Sequence, residues 1–166
     1  DLDGDGIEEI ICPDKAGKAS YWNADGTPYR WRPEVAGATP PNPPDPDTLS
    51  EDGEPGVPAV EPGWPKVMTG VFFYSPTLAN VVGGLEPEIV VGCSDNNVHI
   101  WDGDGNPIAN WPQATGGDVK STPAVGDVDT IPGAEIIVGS WDHYIYAWHI
   151  DGTKVEGAWP LYTTGV

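Results

Sequence analysis

The chain has 166 residues, 26 of them acidic and 7 basic, for a formal charge of −19. That charge repels phosphate backbones and anionic lipid surfaces, which removes nucleic acid as a partner class, and no apolar run approaches the roughly 18 residues that a membrane span needs. The two cysteines, Cys12 and Cys93, form neither a C-x-x-C pair nor a haem signature, so metal-thiolate and redox chemistry are set aside and both are read as apolar fillers.

Residues 1–9 read D-L-D-G-D-G-I-E-E and carry the sharpest chemical signal. Asp1, Asp3 and Asp5 alternate along a tight glycine-bearing loop, so their oxygens can converge on one hard cation, with the Ile7 carbonyl and Glu9 closing the shell. Calcium (Ca2+) is the natural occupant, because it accepts about six to eight oxygen ligands in a flexible geometry. An EF-hand would need a bidentate Glu at its twelfth position, where Cys12 stands, so this is a loop of another kind. Ile10 to Cys12 is continuously apolar, which predicts a strand covered on both faces. A second run ends at Trp22, and Asp25-Gly26 beyond it suits a type I′ hairpin.

Residues 33–63 hold nine of the 19 prolines and seven acidic residues but no basic one. With too little apolar surface to offset ordering entropy, this stretch predicts an extended loop leaning to polyproline II. Trp64 precedes Pro76 by 12 residues, as Trp111 precedes Pro123 by 12, which places the insertion in or beside an outer strand. It hangs from the rim as a contact surface or as a solvated excursion.

The rest of the chain repeats. Pro76 and Pro123 each stand 12 residues before a glutamate, Glu88 or Glu135, and these glutamates begin E-I-V-V-G and E-I-I-V-G. From Glu9, Glu88 and Glu135 to Trp22, Trp101 and Trp148 is 13 residues each time, and the last two copies are offset by 47. In the second copy Asn80, Val82, Gly84 and Glu88 fill the slots of the first loop's ligands, leaving too little charge for a cation. In the third, Asp127, Asp129 and Glu135 persist around Ile131, a weaker candidate set. Glutamate recurs even where the other acids are lost, which suggests backbone hydrogen bonding. Asp102 and Asp104 fall on a hairpin and are read as turn residues. Trp64, Trp111 and Trp159, each followed by proline, close their units. His99, His143 and His149 share no repeated geometry, and no nucleophile motif, phosphate loop or zinc-spaced histidine pair occurs. Trp141, His143 and Tyr144 are the candidate ligand-binding residues, as a sugar-stacking patch.

Four short strands in series make a meander, and one such sheet cannot bury both of its faces alone. A repeat of about 40 to 50 residues built this way is the unit of a β-propeller. The expected fold is therefore all-β, a partial propeller of about three four-stranded antiparallel blades. Residues 1–32 are a partial first blade with the calcium loop, 33–63 the acidic insertion, 64–111 the second blade, 112–160 the third and 161–166 the start of another. Closed propellers use about 4 to 8 blades, so further blades are expected from a longer polypeptide or from other copies.

The motif D-x-D-G-D-G-x-x-E followed at once by I-I resembles FG-GAP or VCBS-type repeats, the blades of integrin α-subunit propellers and of many secreted bacterial proteins. The resemblance covers nearly everything except residues 33–63. It implies that the loop joins the first two strands of a blade and binds calcium through Asp1, Asp3, Asp5, the Ile7 carbonyl and Glu9. The family usually has Asp at the ninth position, where this chain has the longer Glu9. An extracellular or cell-surface setting follows from the same resemblance, with a role in adhesion, binding or assembly, the face or rim meeting a protein or a glycan. Two alternatives stand beside it. The calcium propeller also resembles that of secreted rhamnogalacturonan lyases, but the negative charge and the scarcity of basic residues argue against gripping an acidic polysaccharide. The other is a subunit tiling into an extracellular filament.

Overall fold

Five or six residues of Ile, Val and aromatic character, closed by Asn, Asp and Gly, set the strand length throughout. The computed structural model describes residues 9–13, 18–23, 66–84 and 86–164, and each regular element among them is a β-strand. The loop through residue 8 and the insertion at 33–63 lie outside the described residues. Among those described, no helix is long and apolar enough to cross a membrane.

Sheet 1 contains β1 (Glu9–Pro13), β2 (Lys18–Asn23) and β3 (Lys66–Val67), in that order. Sheet 2 runs β4 (Thr77–Ala79), β5 (Glu88–Cys93), β6 (Asn97–Trp101) and β7 (Gln113–Ala114). Sheet 3 runs β8 (Ala124–Gly126), β9 (Glu135–Gly139), β10 (Tyr144–Trp148) and β11 (Leu161–Tyr162). Every pairing is antiparallel, so sheets 2 and 3 are four-stranded meanders. Their registers match: Ile89 lies opposite Trp101 as Ile136 lies opposite Trp148.

The turns match as well. Asp95 Oδ1 accepts the Asn97 N–H at 3.0 Å, and Asp142 Oδ1 accepts the Tyr144 N–H at 3.0 Å. The residue between sits in the left-handed region in both, Asn96 at φ 65° and His143 at φ 70°. The hairpins after the third strands differ from the type I′ expectation. Gly105 and Gly152 alone carry positive φ there, at 79° and 83°, and their N–H groups bond the carbonyls of Asp102 and His149 at 2.9 Å. A three-residue loop with glycine in the left-handed position satisfies the strand twist as well as a two-residue turn does. The outer strands also begin later than the Asp-Gly pairs suggest. A single bridge, Trp101 to Pro107 or Trp148 to Lys154, follows each hairpin, and full pairing resumes only past Trp-Pro, at β7 and β11.

Sheet 2 is covered on both faces. Ile89, Val91, Cys93 and Trp101 pack with Phe72, Met68 and Ile11 of β1, while Val90, Val98 and Ile100 pack with Ile136, Val138 and Trp148 of sheet 3. Trp111 closes the second interface: its ring meets Trp148 edge-on at 6.0 Å and its Nε1–H donates to the Ile150 carbonyl at 2.7 Å. The first strands β4 and β8 are neighbours, linked by the Thr77 hydroxyl donating to the Pro123 carbonyl. On sheet 3 the positions that match Val90 and Val98 are Ile137 and Ile145. They are only half-buried, whereas Val90 and Val98 are fully buried.

Candidate functional site

The antiparallel course sends alternate connections to opposite ends of each sheet. One end carries the loops between first and second strands and the Asp-Gly hairpins. The other carries the tight turns between second and third strands and the crossovers from sheet to sheet.

At the first end, Glu88 and Glu135 head their strands almost wholly buried. A buried carboxylate must find donors, and each finds them in the backbone of the loop before it. Glu88 Oε2 accepts the N–H groups of Val81 at 2.7 Å and Val82 at 3.2 Å, and Glu135 Oε2 accepts that of Val128 at 2.8 Å. The recurring glutamate is thus a loop clamp. In sheet 2 the loop closes on itself, with Asn80 Oδ1 accepting the Gly83 N–H and Asn80 Nδ2 donating to the Gly84 carbonyl. Asp102 serves its hairpin, accepting both the backbone and side-chain N–H groups of Asn106.

The same end of sheet 3 is chemically richer. His149, just past β10, turns Nδ1 toward Glu135 Oε1 at 3.3 Å and Nε2 toward Asp129 Oδ2 at 3.5 Å. One ligand atom from each of Asp129, Glu135 and His149 lies within 4.8 Å of the others. Beside them opens a cavity of about 450 Å³, lined by Ile131, Pro132, Glu135, His149, Asp151 and Lys154 among others. Asp129 and Glu135 therefore converge, with His149 as the third member. Asp127 is exposed and stands outside the group, and Ile131 is exposed in the middle slot. Asp1, Asp3, Asp5 and Ile7 lie outside the described residues, and so does the Glu9 side chain, although the Glu9 backbone pairs with Asn23.

At the opposite end, Asp95 and Asp142 each hold a partner four residues on. His99 Nε2 lies 2.9 Å from Asp95 Oδ2, and the Tyr146 hydroxyl donates to Asp142 Oδ2. Burial pushes the His99 pKa down against the pull of Asp95. Burial alone would raise the Asp142 carboxyl, but hydrogen bonds from Tyr146, Tyr144, Ser140 and Gly116 outweigh it and hold the group below its ordinary value. Cys93 joins Asp95 and His99 in a second convergent group. Its thiol is pushed up to about 11, chiefly by burial, which makes it a poor nucleophile. The matched residues Ser140, Asp142 and Tyr146 perform the same turn-bracing work, so this group is structural.

Trp141 is different. Its N–H donates to the Asp118 carbonyl at 2.9 Å, as the matched Ser94 N–H does to Val71. The Ser94 hydroxyl also accepts the Val71 N–H, but the Trp141 ring is 68% exposed. Lys120 Nζ stands 3.4 Å from its centroid and 4.3 Å from that of Phe73, with Asp118 Oδ2 3.0 Å away as counter-ion. Tyr144 leans instead on Tyr162, edge-on at 5.3 Å, and the exposed His143 offers its carbonyl to Thr163. Trp141, His143 and Tyr144 thus share one turn, with Trp141 braced from the crossover and Tyr144 from the outer strand. Lys120, Phe73 and Tyr162 were not singled out in the sequence. The usable signal was that Phe73 and Lys120 occupy matched positions 47 residues apart. No known protein-family model matches the chain, and no curated protein matches it.

Proposed function

We propose that the chain forms β-propeller blades of the FG-GAP/VCBS kind and serves outside the cell as a binding module that meets a glycan at the turn end of sheet 3. The observation that carries this reading is Trp141. The matched turn in sheet 2 is built without an aromatic ring, so the fold requires only the backbone at this position. An exposed indole held flat by a cation from one side is a platform for the apolar face of a sugar ring, with Lys120, His143 and the tyrosines near enough to meet its hydroxyls. The blade reading is supported by the matched meanders, their neighbouring first strands and the half-open face of sheet 3, which corresponds to the covered face of sheet 2. Calcium held by residues 1–9 belongs to the same reading. Its oxygen donors suit that ion, and saturation at about 100 times the dissociation constant would add roughly 2.7 kcal/mol of stability.

Binding to an array of neutral oligosaccharides, followed by titration of the best ligand, tests the glycan assignment. Trp141→Ala should weaken binding at least about tenfold, a loss of roughly 1.4 kcal/mol. A glycan bound equally by the variant, or no glycan bound at all, overturns it. For calcium, a chelator should lower the melting temperature, and Asp3→Ala should abolish that response.

A further inference from the structure

Asp129 and His149 are not needed for the loop and hairpin in which they lie. Sheet 2 makes the same loop with Val82 and the same hairpin with Asp102, and its Glu88 clamps the loop backbone as Glu135 does. Only in sheet 3 do two separate connections each direct a donor at the buried glutamate, placing Asp129 Oδ2 and His149 Nδ1 and Nε2 around it at ion-pair distances. Glu135 spends Oε2 on Val128, which leaves Oε1 facing the imidazole. The adjoining cavity of about 450 Å³ gives the group access to solvent.

We propose that Asp129, Glu135 and His149 bind one divalent first-row transition cation, with zinc as its representative, in a site distinct from the calcium loop of residues 1–9. The donor set decides the class of ion. Calcium takes about six to eight oxygens, but here two carboxylates and a nitrogen converge while Asp127 and Ile131 contribute nothing. One imidazole nitrogen with two carboxylate oxygens is a common three-point set for zinc, and water from the cavity completes the shell. The other imidazole nitrogen stays beside a carboxylate, the outer partner that fixes a ligating histidine's orientation. Metal and histidine would together tie the loop before β9 to the hairpin after β10.

Calorimetric titration of the chain with zinc chloride, run beside calcium chloride, tests this. The expected result is one zinc site whose affinity falls at least about tenfold in both His149→Ala and Asp129→Asn, with calcium uptake unchanged in each. Asp129→Asn is the safer variant for folding, because Asp129 is only partly buried and clamps no strand. The paired change Val82→Asp with Asp102→His copies the donors onto sheet 2 and should add a second zinc equivalent. No zinc uptake, or uptake of equal affinity in both single variants, overturns the proposal and reduces the cluster to an ion-pair network.

Discussion

Sheets 2 and 3 share strand order, register and turn conformations at positions 47 residues apart, but their side chains diverge at a few places. The shared positions are the ones the fold uses: the buried glutamate that clamps a loop, the turn aspartate, the left-handed residue after it and the tryptophan that ends the third strand. The divergent positions carry chemistry the fold does not need, Val82 against Asp129, Asp102 against His149 and Ser94 against Trp141. A repeat thus supplies its own control. A residue whose counterpart builds the same backbone without it is free to serve binding.

The largest expected effect tests whether the sheets share one core. Trp148 is fully buried between sheets 2 and 3 and stacks on Tyr146 at 5.3 Å. Trp148→Ala should cost about 3–5 kcal/mol in urea unfolding. Its Nε1–H has no hydrogen-bond partner among the described residues, so Trp148→Phe removes an unmet donor along with some volume and should cost distinctly less. A loss under about 1 kcal/mol for the alanine variant would break the comparison at its root.

The clamp comes next. Glu88→Gln and Glu135→Gln each weaken a charge-assisted bond to buried backbone, for which about 1.5–3 kcal/mol is the expected loss. Similar losses would confirm a common structural role, whereas a loss confined to Glu135 would make that residue a servant of its cluster alone. A smaller and sharper contrast lies in the matched glycines. A Cβ on Gly92 would collide with Val119 of the crossover, but one on Gly139 meets nothing closer than Ser121 Oγ at 3.7 Å. Gly92→Ala should therefore cost about 1–3 kcal/mol, and Gly139→Ala should change stability by less than about 0.5 kcal/mol. Equal costs would mean that the far face of sheet 3 is as covered as that of sheet 2.

Much of this was legible in the sequence because the relevant signals are local. Continuous apolar runs marked β5 and β9, the constant spacing from glutamate to tryptophan set the registers, and the persistence of glutamate pointed to backbone bonding. The outer strands escaped because two residues, Gln113–Ala114 or Leu161–Tyr162, carry no period of their own. His149 looked isolated because its partners come from a loop 14 and 20 residues away in sequence, and convergence across a hairpin leaves no spacing motif. Lys120 escaped for the same reason, since its two rings belong to different sheets.

The finest contrast is one of protons. His99 and Tyr146 occupy matched positions, and each bonds its turn aspartate. Burial lowers the His99 pKa below 6.5, with Asp95 opposing but not winning. As pH falls through about 6.5, the unfolded chain therefore takes up this proton before the folded one. Stability is then lost as pH descends through the folded pKa, and the contribution is fully present above 6.5. Tyr146 behaves oppositely: burial and the Asp142 carboxylate raise its hydroxyl above 10.0, so its contribution holds below 10.0 and disappears as pH rises beyond. His99→Tyr copies the pair of sheet 3 into sheet 2. In urea midpoints measured from about pH 7.5 to about pH 5, it should flatten the acid-side decline of the parent chain. An unchanged slope would mean that the imidazole is as easily protonated folded as unfolded, and that burial does not set sheet 2 apart at this position.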